Sequence, residues 1–434
     1  MESVLVILAI ILAIALGEIF NINTGLIAGA FAYLIGCFVL GMSVDDLLDA
    51  WPTDLFMVIF SISLFFNFAV VNGTLEKVAN VLLYRFRNFE KFLPLILYFV
   101  TALVSGLGAA FFTSVAVMGA IGMVLCRNSN MNRLYAAMAV SLGALSGANF
   151  MVSAHGVLFN SLLSQVDGIA DQAGTITTDI FAVSFIYPVI VIGVLCFIDM
   201  RNNRGRSSGL KIEKPEPFTA KQKFNLALIF IMMLIVLGAP ILSNLLSDVT
   251  WFVDACDRVD VTLVALVMAI IGYLVKLVDD PKPVFQKVPW DTIWLVGGVG
   301  MLVEVAVQAG TIDMLAGLIN MIPTPLVPIA VCVIAGIMSI FSSTLGVVAP
   351  LMFPMIPGFV AATGMSPSLF AVAIIIGAQS TSIAPFSTGG SLQLGSSGLE
   401  GEEQDKFYNE LLFKGTPLGL LFAAVASVFL MFIF

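Results

Sequence analysis

The sequence predicts an all-α polytopic membrane protein. It is read as an inverted repeat of five crossings plus one re-entrant hairpin per copy, with broken helices at the midplane. Three observations predict this. The 434 residues are 59% hydrophobic and 11% charged, with mean hydropathy +1.05, whereas soluble globular proteins carry about 25% charged residues. Apolar segments of membrane length recur along almost the whole chain. Residues of the first half return in the second at a nearly constant offset. A chain this apolar cannot cover itself with polar surface, so lipid is its solvent. That excludes a soluble enzyme and a nucleic-acid binder. The net charge of −9 adds little, because most charged residues fall in a few short loops. Cys37, Cys126, Cys196, Cys256 and Cys332 lie far apart, without CxxC or metal spacing, and read as small hydrophobes.

A membrane helix needs about 20 apolar residues. In chain order the spans are 3–20, 22–42, 52–72, 179–199, 224–243, 261–278, 290–309 and 415–434. Two more, 133–165 and 366–395, are interrupted by polar and glycine-rich stretches and read as broken helices. The stretches 92–126 and 324–362 are too long for one span and carry a small polar cluster at the centre. Each reads as a re-entrant hairpin, whose irregular backbone must be covered by protein or line a water-filled cavity. Repeat one is 1–199, with hairpin 92–126 and broken helix 133–165. A basic linker, 200–223, leads to repeat two, 224–434, with hairpin 324–362 and broken helix 366–395. No signal peptide is expected, since the chain starts with the acidic Glu2 and lacks a basic start and a clear cleavage site.

Lys and Arg set the orientation. The linker holds Arg201, Arg204, Arg206, Lys211, Lys214, Lys221 and Lys223, with Pro215 and Pro217, and is placed in the cytoplasm. Arg85, Arg87 and Lys91 precede the first hairpin, and Arg127 and Arg133 follow it, so it enters from the cytoplasm. The loop 43–54 has four aspartates and no base, and lies outside, as does the loop 244–260. Ten crossings plus two hairpins satisfy these assignments, with both termini outside the cell's inner (cytoplasmic) membrane. The second hairpin then enters from outside.

The repeat is visible residue by residue. Asp54 aligns with Asp291, Ala69-Val70 with Ala306-Val307, and Gly73-Thr74-Leu75-Glu76 with Gly310-Thr311-Ile312-Asp313. Gly106 and Phe111 match Gly336 and Phe341, which puts Phe112-Thr113-Ser114 on Ser342-Ser343-Thr344. Met131, Gly143, Ser146, Ser153 and Gly156 match Met365, Gly377, Ser380, Ser387 and Gly390. Three matched blocks in the same order argue duplication. Five crossings separate corresponding points, so the copies have opposite topology. Inverted repeats with broken helices mark secondary transporters, whose site lies at the repeat interface.

The chemistry is expected at four irregular points: two hairpin tips and two helix breaks. Repeat one offers Thr113 and Ser114, then Ser146, Asn149, Ser153 and His155. Repeat two offers Ser342, Ser343 and Thr344, then Ser380, Thr381, Ser382, Ser387 and Thr388. Hydroxyls, amides and freed carbonyls suit a small hard cation such as Na⁺. Half-helix N-termini suit a carboxylate. Each Ser or Thr taken alone fits a packing role equally well, bonded to a carbonyl one turn back. Their clustering at four related breaks favours a site. His155, the only histidine, either meets a substrate carboxylate, carries a proton or is satisfied by a backbone carbonyl. Glu304 lies within a span, opposite Asn67 in the alignment. It is a candidate for function or for packing between scaffold helices. Glu18, near a helix end, reads as solvated. No Lys or Arg lies in any break, so an anion would be balanced by cations, helix ends and His155. No GxxxxGK[ST] exists to drive transport with ATP.

The runs Ile22-Asn23-Thr24-Gly25-Leu26, Gly41-Met42-Ser43-Val44-Asp45-Asp46 and Pro52-Thr53-Asp54-Leu55-Phe56 resemble the MatC family, as does Asn72-Gly73-Thr74-Leu75. These are dicarboxylate (malonate) carriers of the ion-transporter superfamily, which also holds the divalent anion:sodium symporters. The similarity is clearest over residues 20–195. The resemblance implies a homodimer with a scaffold domain and a mobile domain that works as an elevator. Those symporters carry Ser-Asn-Thr at both hairpin tips. Here Phe112-Thr113-Ser114 and Ser342-Ser343-Thr344 both lack the Asn.

The expected function is Na⁺-coupled import of a small dicarboxylate or related organic anion, without an organic cofactor and without enzymatic activity. Substrate would meet Thr113, Ser114, Ser153, His155, Ser343, Thr344, Ser387 and Thr388. Na⁺ would sit at Ser146, Asn149 and Thr113, and at Ser342, Ser380, Thr381 and Ser382. The alternatives are H⁺ coupling or Na⁺/H⁺ exchange through Glu304 or His155, an intramembrane hydrolase using Ser153 and His155, and a channel.

Overall fold

The computed structural model describes residues 2–20, 22–129, 131–202, 214–246, 249–256, 258–311, 314 and 322–434. Among them every regular element is helical. Lipid offers no partner to a backbone N–H or C=O, so each apolar segment satisfies its own as a helix. Among the described residues, six helical segments are long and apolar enough to cross a membrane: Val44–Val71, Ala170–Arg201, Ala220–Ala239, Lys282–Gln308, Thr344–Thr363 and Glu402–Leu430. Shorter apolar helices accompany them, including Glu2–Gly17, Thr24–Phe38, Val261–Leu274 and Pro367–Ser380. Phe197, Phe230, Leu274, Phe413 and Phe429 stand exposed on these helices, as side chains facing lipid would. The protein is a polytopic helical membrane protein.

Two differences from the sequence reading concern the loops. The acidic stretch 43–54 contains a short helix, Val44–Asp49. The Ser43 hydroxyl accepts from the Asp46 N–H at 3.0 Å, with Asp45 and Asp46 in the first turn, where carboxylates suit the helix dipole. The stretch 244–260 likewise contains the helix Thr250–Cys256. In the linker, Arg204, Arg206 and Lys211 lie outside the described residues, as do Ile312 and Asp313 and the side chain of Glu18. All five cysteines are free; Cys126, Cys196 and Cys332 are buried, whereas Cys37 and Cys256 are half-buried.

Helices from the two halves of the chain pack across one another. Thr24–Phe38 lies against Trp290–Gln308, and Val261–Leu274 against Thr53–Val71. The first of these pairs needs glycine. A Cβ on Gly298 would lie 1.7 Å from the Gly25 carbonyl oxygen, and one on Gly25 would lie 2.1 Å from the Trp294 oxygen. Small residues at such crossings let backbones meet where no hydrophobic drive exists between helices.

The segments around the breaks repeat this economy of side chains. Leu93–Val104 packs on Arg133–Ala148, and Val327–Ile340 on Pro367–Ser380. A Cβ on Gly143 would lie 2.6 Å from the Tyr98 oxygen; one on Gly377 would lie 2.1 Å from the Cys332 oxygen. Beyond the breaks, a Cβ on Gly156 would meet the Phe150 oxygen at 2.3 Å, and one on Gly390 the Ala384 oxygen at 2.0 Å. The second arms then cross over. Ala110–Ser129 packs on Thr388–Ser396, and Ala154–Ser164 on the Ala349–Met352 and Phe353–Met355 turns.

The first hairpin bends earlier than the alignment suggests. Its helical path is broken at Gly108, with φ 106°, inside the turn Ser105–Ala109. Thr113 and Ser114 already belong to the helix Ala110–Ser129. Only glycine takes that backbone conformation easily, and the Phe66 ring fills the place of a Cβ, 1.8 Å from where one would stand. In the second hairpin the break falls at Phe341–Ser343, directly before the turn Thr344–Val348.

Candidate functional site

The helices before both breaks end in buried polar residues. Asn149 closes Arg133–Ala148, and Gln379 lies in the last turn of Pro367–Ser380. Their carboxamides pair reciprocally. Asn149 Nδ2 donates to Gln379 Oε1 at 2.8 Å, and Gln379 Nε2 donates to Asn149 Oδ1 at 2.9 Å. Asn149 Nδ2 also donates to Ser184 Oγ at 2.9 Å, and His155 Nδ1 lies 3.3 Å from Asn149 Oδ1. The sequence contained both amides but gave no sign that they meet. They are 230 residues apart and occupy non-equivalent positions of the two halves.

Each break restarts a helix on a serine. Ser387 is extended, with φ −81° and ψ 156°; its Oγ accepts from the Gly390 N–H at 3.2 Å and donates to the Ser382 oxygen at 2.6 Å. Ser153 has the same extended geometry, but its Oγ donates to the Gly106 oxygen at 3.0 Å and fastens the break to the first hairpin. At the second tip, Ser343 Oγ accepts from the Gly346 N–H at 3.2 Å, and Ser339 and Thr344 hydroxyls lie 3.3 Å apart.

These pieces line a small open cavity of about 30 Å³, room for a few water molecules. Its polar wall comes from the second hairpin tip and the second break: Ser339, Ser342, Ser343, Thr344, Ser382, Ser387, Thr388 and Gly389. Its other wall comes from the first half: Phe111, Phe112, Leu145 and His155. Thr388 and Gly389 open a helix, so their N–H groups have no partner within it. Gly389 is fixed by packing, because a Cβ there would lie 2.4 Å from the Ser382 oxygen and 2.8 Å from the Phe111 ring. Beside the cavity the Phe341 and Phe386 rings stack at 5.8 Å, tying tip to break. Among the described residues no charged side chain lines the wall.

Of the residues expected to meet substrate, the cavity gathers His155, Ser343, Thr344, Ser387 and Thr388. Thr113, Ser114 and Ser153 do not line it; Ser114 is fully buried on the helix after the early bend, and its Oγ has no partner. Of the residues expected to hold Na⁺, Ser342 and Ser382 line the cavity. The others are engaged in packing. Ser146 Oγ donates to the Leu142 oxygen at 2.7 Å and accepts from Tyr98 at 3.0 Å. Ser380 donates to the Gly377 oxygen at 2.7 Å, and Thr381 to the Gly336 oxygen at 2.7 Å. Both oxygens of the amide pair already accept hydrogen bonds. The side chains of Ser146 and Asn149 are thus engaged with protein partners.

Glu304 lies in the last turn of Trp290–Gln308, half-buried, accepting from Gln308 Nε2 at 3.4 Å, and does not reach the cavity. Its counterpart Asn67 donates to the Val284 oxygen at 3.0 Å. Sequence reading passed over Ser339, Leu145 and Leu345 on the wall, and nothing in their local pattern marks them. A separate apolar cleft of about 10 Å³, lined by Ile10, Ala28, Leu302 and Val347 among others, has Thr24 as its one polar residue among the described residues. Among the described residues no cluster of three His, Cys, Asp or Glu could bind a metal.

Residues 1–148 match the family described as dicarboxylate carrier protein MatC N-terminus, in agreement with the resemblance read from the sequence. A solved transporter, YdaH of Alcanivorax borkumensis, described as having an unusual topology, is similar in fold. The TM-score is 0.58 at 15% identity, over 89% of this chain and 87% of that one. No curated protein matches the chain. The family match covers the first third of the chain, and the structural likeness is one of fold.

Proposed function

We propose that this protein is a secondary active transporter that imports a small dicarboxylate or related organic anion together with Na⁺. The observation that carries the reading is the cavity between the second tip and the second break, rich in hydroxyls and free of charge. The substrate carboxylates meet O–H groups of Ser343, Thr344 and Thr388 and the first N–H groups of the helix Thr388–Ser396. These donors suit an anion without a basic residue. The dicarboxylate class rests on the match of residues 1–148 to the carrier family.

The chain works as an inverted duplication of ten crossings and two hairpins. Support comes from the paired glycine contacts, Gly143 with Gly377 and Gly156 with Gly390, which meet carbonyls at matching places of the two halves. Opposed copies gate opposite sides, and alternating access follows from moving the mobile domain of a homodimeric elevator. Na⁺ fits best where Ser342 and Ser382 reach the cavity. The amide and hydroxyl oxygens at Ser146 and Asn149 are taken by protein donors.

A second reading, H⁺ coupling, is favoured by one observation: His155 is the titratable side chain on the wall. Glu304 lies off the cavity and does not serve that role. The hydrolase alternative loses its dyad, because Ser153 is bonded to Gly106 and His155 to Asn149. Proteoliposomes with labelled C3–C6 dicarboxylates, under a Na⁺ gradient and then under a pH gradient, test the proposal. Uptake is expected to follow the Na⁺ gradient and to saturate. Uptake indifferent to Na⁺ refutes the coupling, and no uptake of any of these anions refutes the substrate class.

A further inference from the structure

The amide pair fixes more than the two helix ends. Ser184 Oγ donates its own proton to the Phe181 oxygen at 3.2 Å, so it accepts from Asn149, and the nitrogen of that carboxamide must face it. The Asn149 oxygen then faces Gln379 Nε2 and His155 Nδ1. An oxygen accepts only, so Nδ1 of the imidazole carries the proton. The neutral ring has one proton, and its other nitrogen is then an acceptor. Phe111 and Phe159 lie against the ring, with centroids 6.1 and 6.2 Å away. Nε2 has no protein partner among the described residues, and His155 lines the cavity. The polar wall thus supplies hydroxyl and N–H donors, while His155 supplies a lone pair.

We propose that His155 Nε2 is a specificity-determining acceptor that selects organic anions bearing a hydroxyl group, with Asn149 and Gln379 as positioning residues that hold the acceptor toward the substrate. A bare carboxylate has no proton to give to this nitrogen. A hydroxyl on the carbon chain does, and the carboxylates remain on the Ser and Thr donors opposite. This inference rests on the organic-anion reading of the cavity and adds the feature of the anion that the site reads.

The test compares (S)-malate and succinate, which differ by one hydroxyl, as ligands of the full-length purified protein and as inhibitors of proteoliposome uptake. At pH 8 the carboxyls of both are ionised and an ordinary imidazole is neutral, so only the hydroxyl supplies a donor. One hydrogen bond is worth a preference of about three- to tenfold for malate. In His155→Phe, which keeps an aromatic ring against Phe111 and Phe159, the malate-to-succinate ratio falls to about one, whatever change in affinity the two ligands share. Gln379→Leu releases the Asn149 amide and lowers the ratio as well, and serves if His155→Phe does not fold. A loss of packing alone would weaken both ligands alike and leave the ratio intact. Equal affinity in the unmodified protein, or a preference that survives both substitutions, overturns the inference and leaves the organic-anion reading standing. Failure of every hydroxylated and plain dicarboxylate to bind overturns both.

Discussion

Replacing Gly377 by alanine forces apart the two helices behind the second break. The added Cβ would lie 2.1 Å from the Cys332 oxygen, with the carbonyl carbon and Cα at 2.8 and 3.0 Å. All three are backbone atoms of Val327–Ile340, so no side chain can swing aside. An ordinary contact begins at 3.4 Å, so the helices must part by about 1.3 Å (3.4 less 2.1). Overpacking of this kind costs ~1–3 kcal/mol, and a backbone-on-backbone clash belongs at the upper end. Alanine's better helix propensity returns ~1 kcal/mol. The net loss is ~2 kcal/mol, about thirtyfold in the unfolding equilibrium. Gly143→Ala meets the Tyr98 oxygen at 2.6 Å and loses less, ~1 kcal/mol by the same arithmetic. Gly193, also within a helix, has nothing within 4 Å of a new Cβ, so Gly193→Ala stabilises by ~0.5–1 kcal/mol. Unfolding by SDS titration in mixed micelles gives the order. A Gly377→Ala variant as stable as the unmodified protein, or a Gly193→Ala variant equally weakened, refutes the reasoning.

Three further outcomes follow from the same geometry. Asn149→Leu and Gln379→Leu each leave a buried amide half-satisfied. The double variant is then less damaged than the sum, and a double-mutant cycle in the same titration gives a coupling of ~1–2 kcal/mol; additivity within ~0.5 kcal/mol excludes the pair. Gly108→Ala meets both a φ of 106° and the Phe66 ring, so it abolishes monodisperse folded protein in detergent, whereas Gly106→Ala, whose Cβ finds only contacts of 3.5 Å or more, leaves it intact. Lys221 beside Asp279, at 2.5 Å, holds that carboxyl below its usual range. A depressed acid contributes stability above the usual carboxylate range and loses it as pH falls through the folded value. Both groups are exposed, so Asp279→Asn shifts melting detectably at pH 7 only at low ionic strength, and the difference disappears in acid.

Much of the fold was legible because the bilayer leaves few choices. Apolar runs such as 224–243 and 261–278 had to be helices, and the Gly/Ser/Thr-rich stretches at 146–153 and 380–391 each hold a break, at 149–153 and 381–387. The resemblance to the carrier family was legible from the loops at 22–26 and 41–56, which agrees with the match of residues 1–148. The first tip was misplaced for a physical reason. Alignment followed side chains, Phe111 with Phe341, but the backbone bends where Gly108 and Phe66 permit it, and the second hairpin has Met338 at the corresponding place. The hydroxyls of Ser146 and Thr381 could not be assigned from sequence, because the helices Arg133–Ala148 and Pro367–Ser380 are buried on nearly every side. Which face of such a helix meets a cavity and which meets a neighbour is settled by tertiary packing alone. The Asn149–Gln379 pair was hidden for a related reason: it breaks the symmetry through which the rest was read.

The lack of charge around the cavity also constrains the transport cycle. A dianion moving alone into a cell with an interior-negative potential of 100 mV works against about 4.6 kcal/mol, twice the ~2.3 kcal/mol for one charge. That is more than about a thousandfold in accumulation. A lysine or arginine on the moving wall would offset part of this, but none lines the cavity. His155 in its neutral form, with the proton on Nδ1 facing Asn149, offsets nothing. On the proposed reading, compensation would come from cations that travel with the substrate, at least two monovalent ions for each dianion. Two make the cycle electroneutral; three make it electrogenic and driven by the potential. Reversal-potential measurements in proteoliposomes, with valinomycin and K⁺ setting the voltage, give the ratio directly. Net inward movement of negative charge with each dianion would show that the compensating charge comes from neither the wall nor co-transported cations, and the account of an uncharged site loaded by cations would fail.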